Sequence, residues 1–270
     1  VYFDCTGKLP AMRGYDMMDV DPKHNWGQID RAIEWAKKSG CIITICWHWY
    51  APDNMEDMEN CPWSFYTKEA KADHSTSFDL FRAVEPGTAE YEFTVASIDK
   101  AAEQLKRFEA EDIPVLWRPL HEAYGNWFWW GQKLCTTEQY KALWQMTYDY
   151  MVNERGLDNL VWSYSPGAGE LSSAEVYGER YPGDDIIDMV GFDCYYYSTR
   201  EDYLSKMTNA LDITVAFAKE HGKIAAVTET GYEGVKDPKW WTEVLYESLK
   251  DYPVSYVLVW RNACDAHMQH

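Results

Sequence analysis

Along the chain, short and nearly continuous apolar runs alternate with segments whose apolar positions recur every three to four residues. The runs at 11–17, 42–47, 115–120, 160–164, 189–195, 225–229 and 255–260 predict strands. Because these runs do not alternate with polar residues, they fit a parallel sheet covered on both faces. Between them, Ile29, Ala32, Ile33 and Ala36 predict a helix closed by Gly40, and Val95, Ile98, Ala102, Leu105 and Phe108 predict a second. Thr136 and Gln139 form a capping box ahead of Tyr140, Leu143, Trp144, Tyr148 and Met151. A further helix opens at Thr199 and runs through Leu204, Met207 and Leu211 to Gly222. Pro238 suits the first turn of a helix carrying Trp241, Val244 and Leu245.

Strands that alternate with helices, seven in number, favour a barrel over a doubly wound sheet. No glycine-rich phosphate loop follows any of them. The expected fold class is α/β, a (β/α)8 TIM barrel, with residues 1–270 forming a single domain. One stretch breaks the pattern: 48–94 shows neither helix nor strand periodicity. A loop of that length is normally functional or packed on itself. It carries Trp49, Trp63, Phe65, Tyr66 and Phe78, and is expected to wall a cleft.

Charge and composition narrow the partners. The 44 acidic and 25 basic residues leave a net charge of −19, which repels phosphate backbones and anionic headgroups, so neither nucleic acid nor a membrane surface is an expected partner. No run approaches the roughly 18 apolar residues of a membrane span. The 14 tryptophans, 20 tyrosines and 9 phenylalanines exceed what a core requires, since indoles are hard to bury completely. Two readings stay open, a bulky core and a cleft for the flat rings of sugars. Of the 7 cysteines, Cys41, Cys46 and Cys194 border or lie in strands and are expected as buried thiols, while Cys61 and Cys135 lie in loops and could pair.

In a parallel barrel, chemistry gathers where strands end. Those ends read Arg118-Pro119-Leu120-His121-Glu122, Asp193-Cys194-Tyr195-Tyr196-Tyr197, Thr228-Glu229-Thr230-Gly231 and Trp260-Arg261-Asn262. Two carboxylates set among aromatics match glycosidic cleavage, which needs one carboxyl protonated and the other ionised. Taken singly, each residue has a plainer reading: a salt-bridged glutamate, Arg118 as partner of a buried carboxylate, His121 as a core histidine, and Trp127, Trp129 and Trp130 as loop packing. Their coincidence at one set of strand ends favours a site. There is no His-Glu-x-x-His, and His267 with His270 offers only helical spacing, so neither a metal nor a cofactor is expected.

The fourteen residues Arg118-Pro119-Leu120-His121-Glu122-Ala123-Tyr124-Gly125-Asn126-Trp127-Phe128-Trp129-Trp130-Gly131 resemble the acid/base signature of glycoside hydrolase family 26, which consists mainly of β-mannanases. Residues 228–231 resemble that family's nucleophile motif, and 191–195 and 259–262 its strand-six and strand-eight motifs. The resemblance implies a retaining double displacement, with Glu122 as general acid and then base and Glu229 as nucleophile. It makes Arg118 the group that keeps the nucleophile ionised, with Asp193 orienting and Tyr195 donating to Glu229. His121 and His48 would contact the sugar near its 2-hydroxyl, which is axial in mannose. Trp260 would be the platform, Trp127 a wall across from it, and Arg261 a contact one sugar away. The implied partner is mannan or a mannooligosaccharide, acted on outside the cell by a monomer. The same register makes 11–17 the second barrel strand, so that the sequence opens inside the first crossover and stops after strand eight. Two alternatives remain: another β-glycan, such as mixed-linkage β-glucan or β-1,3-xylan, or a non-catalytic carbohydrate-binding barrel.

Overall fold

The computed structural model describes residues 2–21 and 26–260. The chain divides into two compact units, residues 1–162 and 163–270. The first unit opens with α1 (Tyr2–Thr6), β1 (Met12–Asp16), a 3-10 turn (Met17–Val20), α2 (Gln28–Ser39) and β2 (Ile42–Cys46). There follow β3 (Ala51–Pro52), β4 (Trp63–Ser64), α3 (Leu80–Ala83), α4 (Ala89–Glu109), β5 (Val115–Arg118) and α5 (Thr137–Tyr148). Strand β6 (Leu160–Tyr164) then carries the chain into the second unit.

Strands β1, β2, β5 and β6 pair in parallel in that order. The register sets Asp16 beside Cys46, and Cys46 beside Arg118. Three strand ends therefore stop level, and the residues just past them are brought together. Ile43, Ile45, Val115 and Trp117 are fully buried, as expected for strands covered on both faces. The predicted caps are present. Gly40 closes α2 at φ 66°, a conformation glycine adopts without strain, and Thr136 and Gln139 complete their reciprocal capping box. After α5 the helix widens into a π turn over Asp149–Glu154, with Met151 still buried.

The 48–94 segment departs from its expectation. It contains the antiparallel β3–β4 pair, α3, and the first turns of α4, whose N-cap Thr88 accepts from the Tyr91 N–H. Two-residue strands and a four-residue helix are too short to leave a periodic trace. Of the five aromatics expected to wall a cleft, Trp49, Trp63, Phe65 and Phe78 turn inward and are buried, and Tyr66 is half-buried, while Phe81 of the same segment is exposed. Trp49 stacks on Trp47 with ring centroids 3.9 Å apart. Self-burial of large rings, worth about 25 cal/mol per Å² of apolar surface, outweighs leaving them as a cleft wall.

In the second unit the last residues of β6, Ser163 and Tyr164, pair with β7 (Met189–Tyr195). Strand β8 (Ile224–Gly231) lies beside β7, and β9 (Val257–Val259) beside β8, all parallel. The helices are α6 (Ala174–Glu179), α7 (Arg200–His221) and α8 (Tyr246–Leu249). α7 is capped by Thr199 and Gly222 as predicted, whereas the turn around Trp241 is π-helical, over Trp240–Leu245. The β7–β8 register slips between Phe192 and Asp193, which sets Asp193 beside Glu229; such irregularities re-aim side chains. Cys61 and Cys135 are not joined: Cys135 Sγ donates to the carbonyls of Trp130 and Gly131, and Cys61 Sγ to that of Asn54. Cys46 and Cys194 are buried thiols as expected, and burial pushes Cys194 up to about 12; Cys41 is only half-buried. Among the described residues, no helix is long and apolar enough to cross a membrane.

Candidate active site

In the first unit the site starts where β5 stops. Past Arg118 the chain turns through Leu120 at φ 51° and Glu122 at φ 54°, left-handed conformations that residues with a side chain seldom adopt. Such a turn in a buried loop needs partners for its backbone carbonyls. The surrounding aromatics supply them. Tyr140 Oη–H donates to Leu120 O at 2.8 Å, and Trp130 Nε1–H donates to His121 O at 2.8 Å. Farther along, Thr67 donates through its hydroxyl to Asn126 O and through its N–H to Trp127 O, both at 2.8 Å. Trp129 Nε1–H reaches Trp49 O at 2.7 Å. Trp129 and Trp130 are thus fully buried and hold the loop rather than face a ligand.

Trp127 differs from its neighbours. It is half-buried, and its Nε1–H donates to Glu122 Oε2 at 2.7 Å. Gly125 makes room for it, since a Cβ there would fall 2.4 Å from the indole. Glu122, also half-buried, is therefore fixed both by its backbone and by an indole five residues on.

His121 and His48 meet edge to face, with ring centroids 4.7 Å apart, and both rest against Phe128. His121 is buried, and burial, followed by the charges of Arg118 and His48, holds its pKa well below the ordinary histidine value. Its neutral form is thereby favoured. Arg118 is itself buried, in register beside Cys46. His48 brings a residue that the sequence reading missed. Asp16, the last residue of β1, accepts from the His48 backbone N–H at 3.0 Å and hydrogen-bonds the ring Nδ1. Burial pushes the Asp16 carboxyl up, but the His48 charge and these hydrogen bonds outweigh it and hold it below the usual range. The signal was available: Asp16 is an acid at the end of a predicted strand, the region where chemistry gathers in a parallel barrel. Among the described residues of this unit, Asp16, Cys46 and His48 come nearest to a metal-ligand set, but their ligand atoms are engaged in hydrogen bonds with one another.

The second unit brings Asp193, Tyr195, Glu229 and Trp260. Glu229 lies within β8, 3% exposed, and Tyr195 Oη–H donates to its Oε2. Asp193 is buried beside Glu229 in the register, and its Oδ1 accepts from Thr228 Oγ1–H at 2.7 Å. Tyr195 stacks on Tyr197, centroids 5.6 Å apart, and the latter is 81% exposed. Trp260 continues the β9 pairing through its N–H, which donates to Thr230 O at 2.8 Å, and its side chain is half-buried. Arg261 lies outside the described residues, as do His267 and His270. Each unit thus delivers one glutamate with an aromatic hydrogen-bond donor on its carboxyl.

Comparison with known proteins identifies the family. A mannan endo-1,4-beta-mannosidase of Thermothelomyces thermophilus is 38% identical over 198 residues, which cover 70% of this chain and 37% of the relative. Another, from Bifidobacterium adolescentis, is 28% identical over 286 aligned positions, 96% of this chain and 27% of the relative. The chain spans well under half the length of these two relatives. The solved structure of a GH26 β-mannanase from Bacteroides ovatus matches 95% of this chain and 73% of its own, with 35% identity and a TM-score of 0.81. The fold class is accordingly α/β, the TIM-barrel class expected from the alternation of strands and helices. The profile of glycosyl hydrolase family 26 matches residues 1–264, and the chain belongs to that family.

Proposed function

We propose that this protein is an endo-β-1,4-mannanase that hydrolyses mannan-type hemicellulose outside the cell with retention of anomeric configuration. The observation that carries this reading is the separate aromatic donor on each glutamate, Trp127 on Glu122 and Tyr195 on Glu229. Glu122 protonates the departing glycosidic oxygen while Glu229 attacks the anomeric carbon, forming a glycosyl ester. Glu122, now a carboxylate, takes a proton from water as that water attacks the same carbon and expels Glu229. The cycle consumes one water and returns both glutamates to their starting states. The relatives' names support mannan as the substrate, and a net charge of −19 does not oppose a neutral polysaccharide.

The remaining residues bind. A neutral His121 offers one ring nitrogen as donor and the other as acceptor, as a sugar hydroxyl requires. His48 lines the same subsite, Trp260 is the stacking platform, and Arg261 contacts the next sugar. Arg118 and Asp193 hold the ionised state and orientation of the groups beside them. Proton NMR of mannohexaose digestion tests the reaction: the β-anomer should appear first, and the viscosity of mannan should fall ahead of reducing-end release. An α-anomer first would overturn retention. Hydrolysis of lichenan or β-1,3-xylan without mannan would overturn the substrate, and mannan binding without hydrolysis would overturn catalysis.

A further inference from the structure

We propose that Asp16 is a positioning residue of the sugar site, acting through His48: it fixes which ring nitrogen of His48 carries a proton toward the protein and which is presented to the substrate. The inference rests on the reading of His48 as a sugar contact, and deepens it.

The argument begins with the strands. Because β1 and β2 pair in parallel with Asp16 beside Cys46, the residue two past Cys46 lies within reach of the Asp16 side chain. Three donors converge on its two oxygens whatever the tautomer of the His48 ring. Oδ1 accepts from the Met18 N–H at 3.1 Å and the His48 N–H at 3.0 Å. Oδ2 accepts from Cys46 Sγ–H at 3.5 Å and faces His48 Nδ1. A protonated acid would turn a hydrogen toward one of these groups, and the His48 charge and hydrogen bonds hold the Asp16 carboxyl below the usual range. Asp16 is therefore a carboxylate, and an ionised Oδ2 requires His48 Nδ1 to bear the hydrogen between them.

That hydrogen decides the other edge of the ring. With Nδ1–H facing Asp16, Nε2 lies on the opposite edge, an acceptor in the neutral ring and a donor in the imidazolium. Phe65 at 4.7 Å, His121 at 4.7 Å and Phe128 at 5.5 Å pack around the ring and oppose its turning Nδ1 away from Asp16. The two adjacent imidazoles are thus set differently. His121 is buried beside Arg118, which favours its neutral form, whereas His48 has the Asp16 carboxylate against its Nδ1. Two neighbouring rings with different donor patterns can read two hydroxyls of one sugar.

The test is a double-mutant cycle with Asp16→Asn, His48→Gln and the pair, combined with ring-nitrogen NMR. In Asp16→Asn the amide N–H₂ would face Nδ1, so that Nδ1 accepts and the proton moves to Nε2. The ¹⁵N pattern of His48 should switch from Nδ1–H in the wild type to Nε2–H in the variant. The kcat/KM on mannohexaose should fall by roughly 10–100-fold, the scale of losing a hydrogen bond to a charged group. Because Asp16 acts through His48, the double variant should lose no more than the worse single one. Multiplied losses in the double variant, or an unswitched ring in Asp16→Asn, would overturn the proposal. Should Asp16→Asn fail to fold, a pH titration of the wild-type ring decides alone: Nδ1–H throughout supports the proposal, and a neutral Nε2–H tautomer overturns it. Failure of the mannanase reading is distinct, since it appears as a wild-type protein without hydrolysis whatever the ring shows.

Discussion

Glu229 lies inside a strand, 3% exposed, with its carboxyl held by a phenol from the neighbouring strand. Glu122 lies past the end of its strand, half-buried on left-handed backbone, and is held by an indole from its own loop. The contrast fits the division of labour proposed for them. A nucleophile must occupy one position at every turnover, and a strand interior gives its side chain few alternatives. An acid/base moves a proton twice per cycle, once to the departing glycosidic oxygen and once from water, and needs partial access to that water. The cost falls on the backbone: each left-handed non-glycine residue is unfavourable by about 1–2 kcal/mol. The donors that Tyr140 and Trp130 place on the adjacent carbonyls offset it.

The largest test of this contrast replaces the glutamates. Glu229→Ala should lower kcat on mannan by on the order of 10⁴-fold or more, and should equally abolish release of dinitrophenolate from an activated mannobioside. Glu122→Ala should be as damaging on mannan yet still release a burst of dinitrophenolate, because that leaving group needs no proton. If both variants are silent on the activated substrate, the assigned roles are wrong. Next come the donors. Tyr195→Phe removes a hydrogen bond to a charged group, worth about 1.5–3 kcal/mol, so kcat should fall roughly 10–100-fold. Trp127→Phe should cost less, about fivefold, matching a hydrogen bond of about 1 kcal/mol. The reverse order in steady-state kinetics would mean that the half-exposed glutamate is the more tightly held one.

A smaller effect is expected one step removed. Gly125→Ala places a methyl group 2.4 Å from the Trp127 ring, so the indole must shift. Overpacking of this kind destabilises by about 1–3 kcal/mol, and kcat should drop to the Trp127→Phe level. Urea midpoints and kinetics on the same sample check both. The smallest test uses pH. His121 has a depressed pKa when folded, so the unfolded chain takes up its proton first. As pH falls below about 6.5, stability should decline by up to about 1.4 kcal/mol per pH unit, while above that pH His121 contributes no slope. Urea midpoints at pH 7.5 and 5.5 should show the decline, and His121→Asn should flatten it.

Much of this was legible in the sequence, for physical reasons that vary by residue. Buried parallel strands leave unbroken apolar runs, and caps need particular residues, so 42–47 and Thr136 with Gln139 could be read directly. The burial of Trp49 could not, because its partner Trp129 donates from 80 positions away and no local period encodes that contact. Nor could the left-handed backbone at Glu122, since propensity disfavours it and only the tertiary donors hold it. The π turns escaped likewise, being one residue wider than the helical period used to look for them. Asp16 was readable but passed over, because its role shows only through His48.

The indole that Trp130 sets on the His121 carbonyl has a consequence for recognising relatives of this chain. Part of the fourteen-residue stretch serves the loop's own construction, with Trp129 and Trp130 donating to the carbonyls of Trp49 and His121. A search keyed on the whole stretch therefore retrieves proteins that build this loop, whether or not they cut anything. The informative filter is narrower: a glutamate at the position of Glu122 together with an indole at that of Trp127. A homologue that keeps the scaffold tryptophans and loses that pair would be a candidate for a barrel that holds polysaccharide without breaking it.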